Sequence, residues 1–533
     1  MPFWRVSPVR AALGACLLLL AVVCRPGSAR ADWLADLRAY AASAMDEFGT
    51  PGWAMVIVVN DVVILAEGHG LLRSDAPAPV DADSLFLLGS TTKGFTAGLI
   101  ASLVDQNLLA WDTLVKDKLP EFRMADPDVT AQFAVDDLLA HRSGMPEDAL
   151  TLMEFLNYPT QTRLRGMRFV TPVTSFRASY AYQNVTFTTA SRLAETVTGQ
   201  SFEASLKANL FDKLGMTRSC ASQATVVQMD NVAVNHLKLT SGYWPIPSDW
   251  FWFQAQDRAM GAVAVRSSAN DLGQWLRFNL SQGRLGTSRV VAQEAMRHLQ
   301  APKILMNPWT NLGMSTHWGP MSYCSGWMRV DFSPQPILFH EGAAMGSASA
   351  ILLAPDANVG IAVLSNVTGG SIPADKIVLK FYELYFGSSP AATRQLLGTL
   401  EQLRPDAPAL VSAPAAPGEA ATPARPLPAY CGAYSNPAYG VFPVSLAGDH
   451  LEMTMGPNQY TASLVSTGGD AFSAIMPGYP QGNVPQIVMP VVFEFASGGP
   501  VVAKLGPMYH GPQEVFTRIA PGVPANALLL DQN

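Results

Sequence analysis

Ser90 and Lys93 stand three residues apart in Leu87-Leu88-Gly89-Ser90-Thr91-Thr92-Lys93-Gly94-Phe95-Thr96, a spacing that could make an activated nucleophile. A serine hydroxyl attacks poorly until a base stands within hydrogen-bond reach. A lysine becomes that base once burial or cationic neighbours bring its pKa down from about 10.4. Three residues is close to one helical turn, so a helix starting here puts both side chains on one face. Its N-terminus also turns unpaired backbone N–H groups toward any oxyanion formed there. Taken alone, the pattern equally describes a capping serine followed by a solvated lysine.

Two further stretches carry chemically able residues. In Tyr180-Ala181-Tyr182-Gln183-Asn184, Tyr182 offers a phenolic oxygen as acid or base, and Asn184 an amide to hold substrate. Two residues apart in an extended or loop segment, they can face one cleft, although an ordinary aromatic-rich loop reads the same way. In Phe339-His340-Glu341-Gly342-Ala343-Ala344, glycine at 342 would let backbone approach a ligand closely. A lone histidine such as His340 is otherwise a structural residue.

The elements that must position these groups follow from periodicity. Residues 34 to 48 have helical spacing; 54–59 and 62–67 read as a hairpin turning at Asn60-Asp61. The Ser90 stretch runs into the helical pattern 97–104, and a second helix spans 188–197. Residues 349–353 and 360–364, separated by Pro355-Asp356-Ala357-Asn358, form an antiparallel meander beside His340.

In this order, S-x-x-K, Y-x-N and H-x-G resemble the serine hydrolases of the class C β-lactamase and penicillin-binding-protein type, with their D,D-peptidase and esterase relatives. Thr50-Pro51-Gly52, Leu138-Leu139-Ala140-His141-Arg142-Ser143-Gly144, Glu195-Thr196-Val197-Thr198-Gly199, Ser325-Gly326-Trp327 and Val363-Leu364-Ser365-Asn366 add to the resemblance. It implies an α/β sandwich, an antiparallel sheet flanked by helices, with a mostly helical insertion facing it across a cleft. It also implies Ser90 as the acylated nucleophile, Lys93 as its activator and Tyr182 as the proton carrier. Asn184, His340 and Gly342 would then bind substrate, and the N–H groups of Ser90 and Ala343 would form the oxyanion hole. His340 stands where β-lactamases of this class carry lysine, and a histidine is mostly neutral above pH 7. G-x-S-x-G is absent, which argues against an α/β-hydrolase.

Composition sets the remaining bounds. Of 533 residues 49% are hydrophobic and 14% charged, enough for two or three folded units. Arg5 and Arg10 precede an apolar run from Ala11 to Cys24, and Ala29-Arg30-Ala31 offers a cleavage site, so residues 1–31 read as a signal peptide. The run is short for a spanning helix and no second one follows, so a periplasmic or secreted protein without an integral membrane segment is expected. Removing the leader's four arginines leaves 31 of the 35 basic residues against 42 acidic ones, a net charge near −11. That balance does not suit a nucleic-acid surface. Cys220, Cys324 and Cys431 are too few and too spread for a disulfide framework. The histidines lack paired-ligand spacing, so neither metal nor other cofactor is expected.

The hydrolase unit is expected over 32–395, a Pro/Ala-rich linker over 396–428 and a small all-β barrel or sandwich over 429–533. The last resembles the lipocalin-like domain appended to some β-lactamase-related hydrolases. The function expected is a secreted serine hydrolase working through an acyl-enzyme on short esters, amides or D-amino-acid peptides. A penicillin-binding or sensor protein that acylates with little turnover carries the same triplets and is the alternative, as is a true β-lactamase, from whose third triplet His340 departs.

Overall fold

The computed structural model describes residues 32–239, 242–250, 259–306, 318–367, 371–402, 411–412, 421–476, 486–497, 501–506 and 512–520. The leader lies outside them. Helix α1 (Trp33–Phe48) starts the described chain, with the Asp32 carboxylate accepting from Ala35 N as its N-cap. The hairpin comes next as β1 (Gly52–Val59) and β2 (Val62–Gly70). Asn60 and Asp61 turn it with φ of 51° and 66°, conformations that these two residue types tolerate best after glycine.

Helix α2 (Thr92–Asp105) has no polar face and is buried along nearly its whole length, the pattern of a helix enclosed by other elements. Among the helices of the insertion, α3 (Val135–Leu138), α4 (Thr151–Phe155), α5 (Thr160–Gly166) and α6 (Asn184–Thr198), α6 packs on α2, and α3 and α5 pack on α6. Helix α7 (Ala269–Leu280) completes the surround, its Trp275 stacked on Phe95 of α2 at 4.0 Å between ring centres.

The sheet is completed by β3 (Ile304–Leu305), β4 (Trp318–Tyr323), β5 (Met328–Phe332), β6 (Ile337–Ala344), β7 (Ser347–Ala354) and β8 (Val359–Ser365). All eight strands are antiparallel, in the order β2-β1-β8-β7-β6-β5-β4-β3. β1, β7 and β8 are buried almost throughout, because helices cover both faces; their sequences are accordingly apolar runs rather than alternations. Helix α8 (Ser371–Phe386) pairs with α1, where Trp33 meets Phe381 and Tyr385 edge-on. Two of the resembling stretches meet here: the Asn366 amide oxygen accepts from Gly52 N at 2.8 Å.

Helix α9 (Pro390–Gln402) crosses the expected boundary at 395, since Leu396 and Leu400 recur at helical spacing and are buried. The proline-dense chain begins only after it, and most of that chain lies outside the described residues. The C-terminal unit is a closed barrel rather than a sandwich. Its eight strands are β9 (Gly432–Asn436), β10 (Gly440–Ala447), β11 (His450–Met455), β12 (Tyr460–Gly468), β13 (Ala471–Met476), β14 (Gln486–Phe495), β15 (Val501–Leu505) and β16 (Glu514–Arg518). β14 pairs with both β13 and β15, and β16 with both β9 and β15, which closes the ring. β9, β12 and β13 escape a hydropathy reading because Ala, Ser and Thr blur their alternation. No disulfide joins Cys220, Cys324 or Cys431, and among the described residues no helix is long and apolar enough to cross a membrane.

Candidate active site

Ser90 sits on a single 3₁₀ turn, Gly89–Thr91, that feeds directly into α2. The turn is wedged against β6. Gly89 has φ of 57°, and a Cβ there would lie 2.8 Å from the backbone of Ala343. Behind it, Thr91 Oγ1 lies 3.0 Å from Ser349 Oγ on β7, and Ser349 donates to the Leu88 carbonyl at 2.7 Å. The backbones of Ser90 and Ala343 thereby run side by side at the mouth of the cleft.

Gly342 is required here for a reason other than ligand approach. A Cβ at 342 would lie 1.9 Å from the Leu88 carbonyl oxygen and 3.0 Å from Ser90 N, so the glycine admits the turn that carries Ser90. Gly342→Ala is therefore expected to lower Tm and slow acylation together, since overpacking of this kind costs about 1–3 kcal/mol. Thermal unfolding and single-turnover acylation read the two effects. A variant with wild-type values of both would show that β6 can move aside.

Lys93 points from the first turn of α2 back to Ser90, its Nζ 3.0 Å from Ser90 Oγ. It also donates to Asn184 Oδ1 at 2.8 Å and to the Ala262 carbonyl at 3.3 Å. The side chain is wholly buried, and that burial lowers its pKa to about 7 against the opposing pull of Glu154, Asp148 and Glu341. Half the population is then a neutral amine near pH 7. Such an amine has two N–H donors and one lone pair. With the Asn184 and Ala262 oxygens taking both donors, the lone pair faces Ser90.

Tyr182 completes the group: its hydroxyl donates to Ser90 Oγ at 2.7 Å, and Lys93 Nζ lies 4.5 Å from the centre of its ring. The loop that carries it is clamped at both ends. Arg177, at φ 63°, donates from two nitrogens to the buried Asp137 on α3, at 2.8 and 2.6 Å. Asp137 also accepts from Arg142 and from Ala134 N. At the other end Gln183 N donates to His141 Nδ1 at 3.2 Å, and the Gln183 amide bonds Ser143 and the Met145 carbonyl. His141 is thus held neutral, burial and the nearby Lys93 keeping its pKa well below the ordinary value. Asn184 is the first residue of α6 rather than part of the loop.

His340 is buried, 1% exposed. Its Nδ1 lies 2.6 Å from the Glu341 carbonyl oxygen and its Nε2 3.2 Å from the Tyr323 hydroxyl. Tyr323 packs in turn on His141 and Tyr180. The aromatic run after Trp250 falls at 251–253, outside the described residues; Trp250 itself is buried. Periodicity and motif reading passed over Glu154, whose carboxylate accepts from Asn184 Nδ2 at 3.2 Å and pairs with the buried Arg163 at 3.2 Å. No local spacing marks it, because its partners come from other helices.

Residues 37–380 match the beta-lactamase family, and residues 416–503 match a domain of unknown function (DUF3471). The chain is 26% identical over 473 residues to the unguisins hydrolase ungD of Aspergillus violaceofuscus, covering 80% of each protein. It is 29% identical over 385 residues to penicillin-binding protein 4 of Amycolatopsis lactamdurans, covering 70% of this chain and 91% of the relative. The fold superposes on the octameric penicillin-binding protein homologue from Pyrococcus abyssi with a TM-score of 0.60 at 20% identity, over 91% of this chain and 99% of that one.

Proposed function

The chain belongs to the beta-lactamase family and is a serine hydrolase of that family; from this premise we propose that it hydrolyses short neutral esters, amides or D-amino-acid peptides through an acyl-enzyme on Ser90. The observation that carries the reading is the convergence of Lys93 Nζ at 3.0 Å and Tyr182 Oη at 2.7 Å on one serine oxygen. As Ser90 Oγ attacks the substrate carbonyl carbon, its proton passes to the Lys93 lone pair. The carbonyl oxygen becomes an oxyanion between the N–H groups of Ser90 and Ala343, each worth about 3 kcal/mol at a well-placed site. Tyr182 then gives its proton to the leaving oxygen or nitrogen and recovers one from Lys93. The bond to the leaving group breaks, and water repeats the sequence in reverse to free Ser90. In this reading Asn184 orders Lys93 as well as binding substrate, while His340 and Gly342 support the site from behind.

The substrate class follows from charge. The carboxylates close enough to act on Lys93 are Glu154, Asp148 and Glu341, so a substrate carboxylate would meet negative potential. His340, which is buried, stands where β-lactamases of this class carry lysine, so the permanent cation of that lysine is missing here. Loss of one charged contact to a carboxylate costs about 1.5–3 kcal/mol, or about 10- to 200-fold in kcat/KM. We expect p-nitrophenyl butyrate to exceed nitrocefin by that margin in steady-state assays. A higher kcat/KM for nitrocefin would return the protein to the lactamases. The similarity to a penicillin-binding protein keeps a second reading, acylation with little turnover; a single stoichiometric burst of p-nitrophenol, without a subsequent steady rate, would favour it. The leader with its Ala29-Arg30-Ala31 site, directly before the Asp32 cap of α1, supports export to the periplasm or medium.

A further inference from the structure

We propose that Glu154 is a positioning residue for this reaction: it fixes the amide of Asn184 and so leaves the Lys93 lone pair for Ser90, an inference that rests on the roles read above for Ser90 and Lys93. Burial pushes the Glu154 pKa up, but the facing Arg163 guanidinium opposes this and favours the carboxylate; a carboxylate only accepts hydrogen bonds, so the atom that Asn184 turns toward Glu154 Oε2, at 3.2 Å, must be its NH₂ group. The Asn184 oxygen is then obliged to face Lys93 Nζ, at 2.8 Å. With the amide reversed, the NH₂ group would face the amine and compete with the Ser90 hydroxyl for the lone pair. The base would be present and misdirected.

Glu154 is itself well held. Its Oε1 lies 3.2 Å from Arg163 Nη1, on a guanidinium with no exposed surface. Its helix, α4, is anchored by buried Leu152 and Met153 and by Leu156 at its C-cap. The barrel adds a second anchor just beyond: the Tyr158 hydroxyl donates to the Tyr439 carbonyl at 2.5 Å, and a Cβ at Gly456 would lie 3.0 Å from Leu156. Tyr439 is held in turn by its own hydroxyl, which donates to Glu514 at 2.7 Å. The C-terminal unit thus seats on the segment that orients the base.

A buried ion pair resists loss of one partner whatever its role, so the test needs a readout that fold stability does not move. In full-length Glu154→Gln the new amide can donate to the Asn184 oxygen and release the enforced orientation. We expect kcat for p-nitrophenyl butyrate to fall about 10- to 100-fold, the scale of a misplaced catalytic group, with KM nearly unchanged. The acid limb of kcat should move to lower pH, because a carboxylate that favoured the Lys93 ammonium is gone while Asp148, Glu341, His141 and Arg163 stay in place. Glu154→Leu with Arg163→Leu removes both charges and leaves neither unpaired, so it serves where the single variant does not fold. The same low kcat is expected of it, with the acid limb moved less than in the single variant because the Arg163 cation leaves together with the Glu154 anion. A double variant with wild-type kcat overturns the proposal, and so does one that cannot fold, which would make the pair a requirement of the core. A fluorophosphonate that fails to label Ser90 in the wild type overturns the nucleophile reading instead.

Discussion

Ser90→Ala is expected to lower ester turnover by at least about 10⁴-fold and to abolish covalent labelling, with Tm nearly unchanged. Removing the nucleophile of a unit that acts together costs about as much as removing the whole unit, and what remains comes from binding and the oxyanion donors. Stability should survive because the substitution deletes one hydroxyl at the edge of the cleft. Lys93 keeps the Asn184 and Ala262 oxygens, and the turn keeps the Thr91–Ser349 contact behind it. Steady-state kinetics and intact mass after fluorophosphonate treatment give the two readouts. Residual turnover above a tenth of wild type would mean that another residue is acylated.

Lys93→Ala and Tyr182→Phe should each cost about 10²–10⁴ in kcat, the range of a positioned acid–base group. Both act on the Ser90 proton, so the double variant should lose far less than the product of the two losses. The pH profile makes the assignment sharper. With the Lys93 pKa brought down to about 7 by burial, the neutral amine is the reactive form and its share rises with pH. kcat/KM should therefore climb through a midpoint near 7 in the wild type, falling about tenfold for each unit well below it. Lys93→Ala should lose that limb along with the rate. Simple multiplication of the single effects, or a limb that persists without Lys93, would argue against a shared proton network.

The barrel's place changes how a truncated chain should be viewed. All three triplets precede the proline-dense segment, so the sequence suggests a hydrolase unit independent of the C-terminal strands. The folded chain instead covers Leu156 and Tyr158 with barrel residues. Removing the barrel would expose apolar surface on the segment that bears Glu154. A β-domain that supplies no residue to the Ser90, Lys93 and Tyr182 group can therefore act on the chemistry through packing.

The parts of the site that the sequence discloses are those whose geometry is local. Ser90 and Lys93 meet because three residues make nearly one helical turn, and Tyr182 and Asn184 lie two apart. The hairpin at Asn60-Asp61 and the meander around Pro355 are equally local, set by turn residues between apolar runs. Long-range contacts leave no such mark. Arg177 is 40 residues from Asp137, and only folding makes it the clamp of the tyrosine loop.

What the sequence by itself determined, then, is which chemically able residues stand at close spacing and the fold class that brings the three stretches together. Tertiary structure decided their state. Lys93 is an ordinary lysine in the sequence; its pKa comes down to about 7 because α2 is enclosed and desolvation disfavours its ammonium form. His340 is a lone histidine in the sequence; β6 buries it beside the Tyr323 hydroxyl. Glu154 looks like a surface charge until α4 and α6 bring it to the Asn184 amide. Burial and hydrogen-bond direction belong to the three-dimensional surroundings of an atom, and no spacing along the chain encodes them.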